Sequence, residues 1–444
     1  MMSRTTQIFC VSSSYGLATL AAAIESDCFA EAERRVLLVA NTSAVPESTP
    51  AVDGIPGFAP LRDHFDDLLS WNEAVSPFHP AAWIPRAEDV PLLERHLRRL
   101  WRLGDDRVEL VLESLAVPPA VTVAQVFTGA PVHVYADGLM SYGPTRKKLD
   151  PLIGTRVRQL LHPDLVPGLT PLLLTEFGVP ARVVPAEALL KAVGEMAEAV
   201  DELPVLTEGS ALLLGQRLSA LGVLSFEEEE DLHARMLRGA VARGHRAVVF
   251  QPHPAAPVRH SGALRAEAER LGADLTVVDV PVPAEVLFAR SRPALVVGCF
   301  STALFTASAL YGLPVARVGT GRLLERLTPY QHGDRVPAVL ADALLPDLEG
   351  DGTQSAVPPE DVDELVTALG FTMQPQIHPG LRPAAERYLA RRFGPGTRHW
   401  FRRKRLTSLG LPGGIPRRLA FLPRSTTARR VVRRARALRR AIRR

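Results

Sequence analysis

Three short polar motifs each follow an apolar run, and their residue types are those used in acid–base and phosphate chemistry. The motifs are Asp137-Gly138, His253-Pro254 and Ser301-Thr302. A carboxylate can accept a proton, a histidine stiffened by flanking prolines can donate to an anion, and hydroxyls at a helix start can hold a phosphate. Together they are the groups of a site that accepts a proton and binds an anion such as a phosphate.

Each motif also has an ordinary structural explanation. Asp137-Gly138 is a common turn after a strand, and His253 can simply bond a neighbouring carbonyl. Ser301-Thr302 can cap the helix that it precedes. Glu285, at the start of a short predicted helix, can hold ribose hydroxyls or only interact with the helix dipole. Taken one at a time, these residues leave the alternatives open.

Apolar runs of about four to eight residues alternate with helical periodicity along most of the chain, a pattern typical of parallel strands covered on both faces. Strands are predicted at 7–12, 35–41, 108–115 and 131–136, and again at 211–214, 247–250, 274–278, 294–298 and 314–318. Helical patterns lie between them, including 62–70 and 90–103, whereas the region after Asp137 is irregular. The pattern predicts an α/β fold with two facing Rossmann-like domains, in which the motifs meet at a central cleft.

The domain boundaries follow from the same pattern. An acidic, loop-like stretch at 200–209 separates the two units. The predicted parts are an N-terminal Rossmann-like domain at 1–200, a C-terminal Rossmann-like domain at 210–375, a closing helix region at 376–397 and a basic tail at 398–444.

The composition excludes several classes of protein. With 444 residues, 46% hydrophobic and 23% charged, the chain is neither wholly disordered nor a small disulfide scaffold. Its three cysteines cannot all pair and are predicted to be buried in a reducing compartment. The uncharged stretch 294–316 is broken by turn residues, so we expect strand, helix and strand rather than a membrane span. A cytoplasmic protein without a cleaved leader is expected.

Charge is strongly segregated along the chain. From Arg398 to Arg444 there are 17 Lys and Arg and no Asp or Glu, whereas the rest carries 48 acidic and 35 basic side chains. In the last segment Val431, Ala435, Leu438 and Ile442 share one helical face. The closing segment Thr427–Arg444 is predicted to be helical, after a flexible break at Gly410–Pro416, and Arg402–Arg444 is predicted to bind an anionic membrane. A polyanionic glycan, nucleic acid or no ligand are the alternatives, and the acidic body argues against nucleic acid.

The ordered set of motifs resembles the bacterial sialyltransferases, including those that make polysialic acid. Their shared marks are an acidic-acidic-Gly motif, a His-Pro motif and a Ser-Ser/Thr motif, which correspond here to Asp137-Gly138, His253-Pro254 and Ser301-Thr302. The resemblance covers residues 5 to about 330. This chain departs from it at Ala136, which occupies the first acidic position and leaves Asp137 as the motif's acid.

The resemblance implies a GT-B fold and an inverting, metal-independent transfer of sialic acid from CMP-sialic acid to a glycan hydroxyl. Asp137 would then be the general base, and His253 would stabilise or protonate the leaving phosphate. The other donor-side residues would be Gly138, Pro254, Glu285, Ser301, Thr302 and Gln216, and the acceptor-side residues Ser13, Ser14 and Tyr15. No metal or other cofactor is expected.

Three other functions remain open at this stage. A polyol-phosphate polymerase would use a CDP donor and have related His and Ser/Thr marks. A nucleotide-sugar epimerase of the same fold would turn over its substrate without an acceptor. A nucleic-acid-binding protein would act through the basic tail alone.

Overall fold

The computed structural model describes residues 4–201, 203–204, 206–207, 209–253, 261–350 and 357–415. Within these ranges the chain forms one seven-stranded and one five-stranded parallel sheet. The strands of the first sheet are β1 (Thr5–Val11), β2 (Arg34–Val39), β3 (Asp67–Ser70), β4 (Arg107–Leu112), β5 (Val132–Tyr135), β6 (Val157–Pro163) and β7 (Ala181–Val184). Those of the second are β8 (Ala211–Leu214), β9 (Ala247–Gln251), β10 (Asp274–Val277), β11 (Leu295–Gly298) and β12 (Val315–Arg317).

Helices connect the strands and cover the sheets. Those that belong to the first sheet are α1 (Ser14–Glu25), α2 (Phe58–Arg62), α3 (Trp71–Val75), α4 (Val90–Leu100), α5 (Ala120–Val126), α6 (Pro151–Gly154) and α7 (Ala186–Glu198). Those that follow are α8 (Phe226–Ala242), α9 (Gly262–Leu271), α10 (Ala284–Arg290), α11 (Thr302–Ala309), α12 (Thr320–Arg326), α13 (Arg335–Leu344), α14 (Val362–Met373), α15 (Arg382–Arg392) and α16 (Arg403–Leu409).

Both sheets reverse their strand order beside their first strand. The first has the order β3-β2-β1-β4-β5-β6-β7 and the second β10-β9-β8-β11-β12. In such sheets the loops after the two strands at the reversal diverge and leave a crevice at the carboxyl edge. The loops after β1 and β4, and after β8 and β11, are therefore the natural places for ligands.

The predicted α/β class and the two Rossmann-like units are confirmed. The strand at 211–214 has the predicted bounds, and the stretch 294–316 forms β11, α11 and β12 as expected. The helix predicted over 62–70 is wrong, because α2 ends at Arg62 and Asp67–Ser70 is the edge strand β3. The region after Asp137 is less irregular than expected, since it contains β6 and β7.

The part of the chain predicted to be a free basic tail begins later than Arg398. Trp400, Phe401, Leu406 and Leu411 are all at most 4% exposed and belong to the hydrophobic core of the second sheet. Arg405 donates to the carbonyl oxygens of residues at the end of α14. Residues 398–415 are therefore part of the folded domain. The rest of the predicted tail, 416–444, with its predicted helix at 427–444, lies outside the described residues.

The segment after β5 ties the first domain to the second. Leu139 and Tyr142 follow directly on Asp137-Gly138, yet their side chains are buried in the core of the second sheet, together with Leu165.

No helix among the described residues is long and apolar enough to cross a bilayer. All three cysteines are buried and unpaired, as predicted.

Candidate active site

The carboxyl ends of both sheets border one cleft, with a cavity of about 540 Å³. Its lining includes residues after β1 from the first sheet and residues after β8, β9, β10 and β11 from the second. Two of the predicted motifs meet here. A Cβ atom built on Gly138 would lie 3.0 Å from Thr302 Oγ1, so the first-domain motif contacts the second-domain motif directly.

Asp137 follows β5 and is fixed by the loop after β1. Ser13 caps α1 by accepting from Gly16 N at 3.0 Å, and the Ser13 hydroxyl lies 3.2 Å from Asp137 Oδ2, to which it donates. Burial raises the pKa of Asp137, against this hydrogen bond. A buried carboxylate with few donors is a stronger base than an exposed one, which suits proton abstraction.

A second cavity of about 490 Å³ adjoins the cleft, and Asp137 lines it. Ser12 and Ser13 line both cavities and form the wall that they share. The cations Arg146, Lys147 and Lys148 line the second cavity with exposed side chains. Asp137 thus stands where a group entering from the second cavity approaches the cleft.

Sequence reasoning missed Glu113, which directly follows β4 and lines the same second cavity. Its carboxylate accepts from Ser12 N at 2.9 Å, from Ser12 Oγ at 2.7 Å and from Tyr135 OH at 3.0 Å. Burial and the nearby charge of Asp137 raise the pKa of Glu113. Its position at the reversal of strand order was the signal that could have identified it.

His253 follows β9 and lines the cleft. Burial, and next the positive charge of Arg217, lower its pKa to about 4, whereas Glu229 acts in the opposite direction. His253 is therefore neutral near pH 7 while the cleft holds no anion. Arg217, which follows β8 and also lines the cleft, was not predicted and places a permanent positive charge beside His253.

Ser301 and Thr302 begin α11 as the sequence predicted. Ser301 is the N-cap residue, and its hydroxyl accepts from Ala303 N at 3.3 Å. Both residues line the cleft, so capping and exposure to a ligand occur together. The helix start directs backbone N–H groups and the positive end of its dipole to the same place.

Glu285 and Tyr15 face each other across the domain boundary. Glu285, in α10, is 4% exposed, and burial raises its pKa to about 7. Burial and the charge of Glu285 raise the pKa of the Tyr15 hydroxyl. Both residues border the cleft. The three residues predicted on the acceptor side, Ser13, Ser14 and Tyr15, all line it and lie beside the donor-side motifs.

Two predicted donor-side residues have other outcomes. The side-chain oxygen of Gln216 accepts from Phe300 N at 3.1 Å and braces the loop after β11, whereas its neighbour Arg217 lines the cleft. Pro254 lies outside the described residues. Among the residues that the structure describes, no group of three or more His, Cys, Asp or Glu side chains is placed to hold a metal ion.

Comparison with known proteins shows that the chain matches a family model over most of its length. Residues 7–320 match the family model described as alpha-2,8-polysialyltransferase. The search of curated proteins returned no match. Similar solved structures include the 2,6-sialyltransferase of Photobacterium sp. JT-ISH-224 with CMP and lactose, at 10% identity and a TM-score of 0.38, with 76% of this chain and 75% of that chain covered.

Two further solved structures are similar over longer ranges. One is MurG of Acinetobacter baumannii, at 13% identity and a TM-score of 0.39, with 89% of this chain and 97% of that chain covered. The other is the UDP-GlcNAc 2-epimerase of Methanocaldococcus jannaschii, at 11% identity and a TM-score of 0.43, with 83% of this chain and 99% of that chain covered.

Proposed function

This chain belongs to the alpha-2,8-polysialyltransferase family, and on that premise we propose that it is an inverting sialyltransferase that uses CMP-sialic acid and a glycan hydroxyl. The donor would occupy the cleft between the two sheets, with its CMP against the second domain. The observation that carries the proposal is the direct contact between the Asp137-Gly138 and Ser301-Thr302 motifs at that cleft, where Gly138 meets Thr302 Oγ1.

The second domain would stabilise the leaving CMP. Breaking the bond from the sugar to the phosphate oxygen leaves an additional negative charge on CMP. Arg217 and the capped start of α11 border the cleft where that charge would develop. His253 is neutral while the cleft holds no anion. The negative charge of the phosphate would raise the pKa of His253, so the ring would bind a proton. It could then donate that proton to the leaving oxygen.

The first domain would activate the acceptor. Asp137 would take the proton of the acceptor hydroxyl as that oxygen attacks the anomeric carbon from the face opposite to CMP, so the anomeric centre inverts. The second cavity gives the acceptor a route to Asp137. Its exposed Arg146, Lys147 and Lys148 suit an acceptor that carries carboxylates.

We also propose that residues 416–444 hold the enzyme at an anionic membrane surface. This segment has 12 arginines and no acidic residue. Each basic side chain near anionic lipid contributes about 1 kcal/mol of binding free energy.

Nucleotide binding and sugar transfer together test the proposed reaction. The thermal midpoint should rise with CMP more than with UDP, CDP or GDP, because a ligand that binds only the folded state stabilises it. Labelled CMP-sialic acid should transfer its label to a sialylated oligosaccharide, and chelators should leave the rate unchanged. A midpoint raised most by CDP, with label transfer from a CDP-polyol instead, would overturn the proposal in favour of a polyol-phosphate transferase. Donor turnover without any acceptor would favour an epimerase.

A further inference from the structure

A second carboxylate lies beside Asp137, and the proposed reaction does not yet use it. Glu113 directly follows β4, and Asp137 follows the neighbouring strand β5 by two residues. A Cβ atom on Gly16 would lie 3.4 Å from Glu113 Oε1 and 3.4 Å from Asp137 Oδ2. The two carboxylates therefore flank a single point of α1, where the same Cβ atom would lie 2.8 Å from Ser13 Oγ.

Two consecutive serines hold the two carboxylates. Ser12 donates its backbone N–H and its hydroxyl to Glu113, at 2.9 and 2.7 Å. Ser13 donates its hydroxyl to Asp137 at 3.2 Å. Because the serines are adjacent, the loop after β1 fixes the separation of the two carboxylates.

The hydrogen bonds favour a negative charge on Glu113 more than on Asp137. Ser12 gives Glu113 two donors, and Tyr135 shares its one hydroxyl proton between Glu113 Oε1 at 3.0 Å and the Cys10 carbonyl oxygen at 2.9 Å. Among the described residues, Asp137 accepts from one side chain, that of Ser13, and from its own backbone N–H. Donors to a carboxylate stabilise its ionised form, so Ser12 and Tyr135 hold a charge on Glu113 against the repulsion of Asp137.

We infer that Glu113 is a positioning residue whose charge, fixed by Ser12 and Tyr135, keeps the neighbouring Asp137 a strong base for the acceptor hydroxyl. The inference rests on the proposed function. As the glycosidic bond forms and the bond to CMP breaks, the electron pair of the broken bond goes to the CMP phosphate oxygen and the acceptor's proton goes to Asp137. Asp137 then releases that proton to solvent before the next transfer.

Two carboxylates this close repel each other when both are ionised, so each opposes ionisation of the other. Burial raises the pKa of both, and the charge of Asp137 raises the pKa of Glu113 further. Among the described residues, the titratable groups whose pKa one of these carboxylates raises include Cys10, Tyr15, Tyr135 and Glu285, which are not cations. The cations that line the same cavity, with exposed side chains, are Arg146, Lys147 and Lys148.

Glu113 also accounts for the one departure from the sialyltransferase motif. The motif has two successive acidic positions, and here Ala136 occupies the first. The second carboxylate of this site comes instead from the end of the adjacent strand, β4. The pair is thus assembled across the sheet rather than along one strand.

The pH dependence of kcat/KM in Glu113→Gln tests the inference. Without the like charge the pKa of Asp137 falls, so the acidic limb of the profile should move to lower pH by about one unit. The weaker base should also lower the plateau kcat by about tenfold. Glu113→Asp, which keeps the charge, should retain a limb close to that of the wild type.

Glu109→Gln is the matched control. Glu109 lies on the same strand, is 8% exposed and bonds Gln7 and Arg107 instead of the site. In Glu109→Gln the acidic limb of the kcat/KM profile should lie at the same pH as in the wild type. An active Glu113→Gln whose limb coincides with that of the wild type overturns the inference, whereas a fully active Asp137→Asn would overturn the proposed base itself.

If Glu113→Gln or the wild type transfers no sugar, the pH dependence of the thermal midpoint still tests the inference. A carboxyl whose pKa is raised by folding loses its stabilising contribution as the pH rises through the folded value. The thermal midpoint of Glu113→Gln relative to wild type should therefore increase from pH 4 to pH 8. This increase should be smaller when Asp137→Asn is the background. A difference that is constant with pH, or equal in both backgrounds, overturns the inference.

Discussion

Gly138 of the first domain lies against Thr302 of the second, so closely that a methyl group on Gly138 would be 3.0 Å from the Thr302 hydroxyl oxygen. Gly138 has an extended backbone, with φ −140° and ψ 175°, which any residue can adopt. The need for glycine here comes from the approach of the two domains and not from backbone strain.

Gly138→Ala should therefore lower activity with little loss of stability. The methyl group displaces Thr302, or the domains separate by a few tenths of an ångström, and kcat/KM should fall about tenfold because reacting groups are misplaced. The free energy of unfolding should change by less than about 1 kcal/mol. Steady-state kinetics and chemical denaturation measure the two effects. Gly129→Ala, at an exposed glycine with open space around it, is the control and should behave as wild type; equal activity in both variants would contradict the prediction.

Asp137→Asn should abolish base catalysis and preserve donor binding. General-base catalysis contributes about 10²–10⁴-fold, so kcat should fall within that range. The asparagine oxygen can still accept from Ser13, and calorimetry should give a CMP affinity within about twofold of wild type. Asp363→Asn changes an exposed aspartate on α14 and should keep normal turnover. Near-normal turnover in Asp137→Asn would exclude this residue as the base.

CMP binding should be linked to proton uptake by His253. In the empty cleft its pKa is about 4, because burial and Arg217 favour the neutral ring. The CMP phosphate brings negative charge and raises that pKa, so protons are taken up between the free and bound values, above pH 4. Calorimetry at pH 6 in buffers of different ionisation enthalpy measures the uptake. His253→Gln should lose it, and the same uptake in both proteins would show that another group binds the proton.

Truncation after Ile415 should leave the fold intact, whereas truncation before Arg398 should disrupt it. The shorter deletion removes 416–444 and should leave the thermal midpoint and activity on soluble acceptors unchanged, while sedimentation with anionic vesicles is lost. The longer deletion also removes Trp400 and Phe401 from the core, and losing one such side chain costs about 3–5 kcal/mol. The protein should then unfold or aggregate. Vesicle binding that survives the shorter deletion would place the lipid contact elsewhere.

The sequence predicted which residues border the cleft because buried parallel strands are short apolar runs, and residues after their carboxyl ends lie at one edge of the sheet. Asp137, His253 and Ser301 were identified in this way and line the two adjoining cavities. Glu113 and Arg217 belong to no motif and stand after strands β4 and β8. They could be found only once the strand order was known.

The strands that escaped sequence analysis lack an uninterrupted apolar run, which in β6 is broken by Arg158, Gln159 and His162. β7 is an edge strand with three of its four residues exposed, and β3 is only half-buried, so neither forms a run of apolar residues. At 398–415 the arginines dominate the local composition. The burial of Trp400 and Leu406 there arises only from packing on the second core.

The anchoring of Leu139 and Tyr142 in the second core has a mechanical consequence. These residues come directly after Asp137-Gly138, so a rotation that widens the cleft would pull on the backbone of Asp137. In the proposed reaction, the state in which water reaches the donor most freely would then also be the state in which the Asp137 carboxylate is displaced from the acceptor. Chain connectivity would thereby limit hydrolysis of the activated sugar.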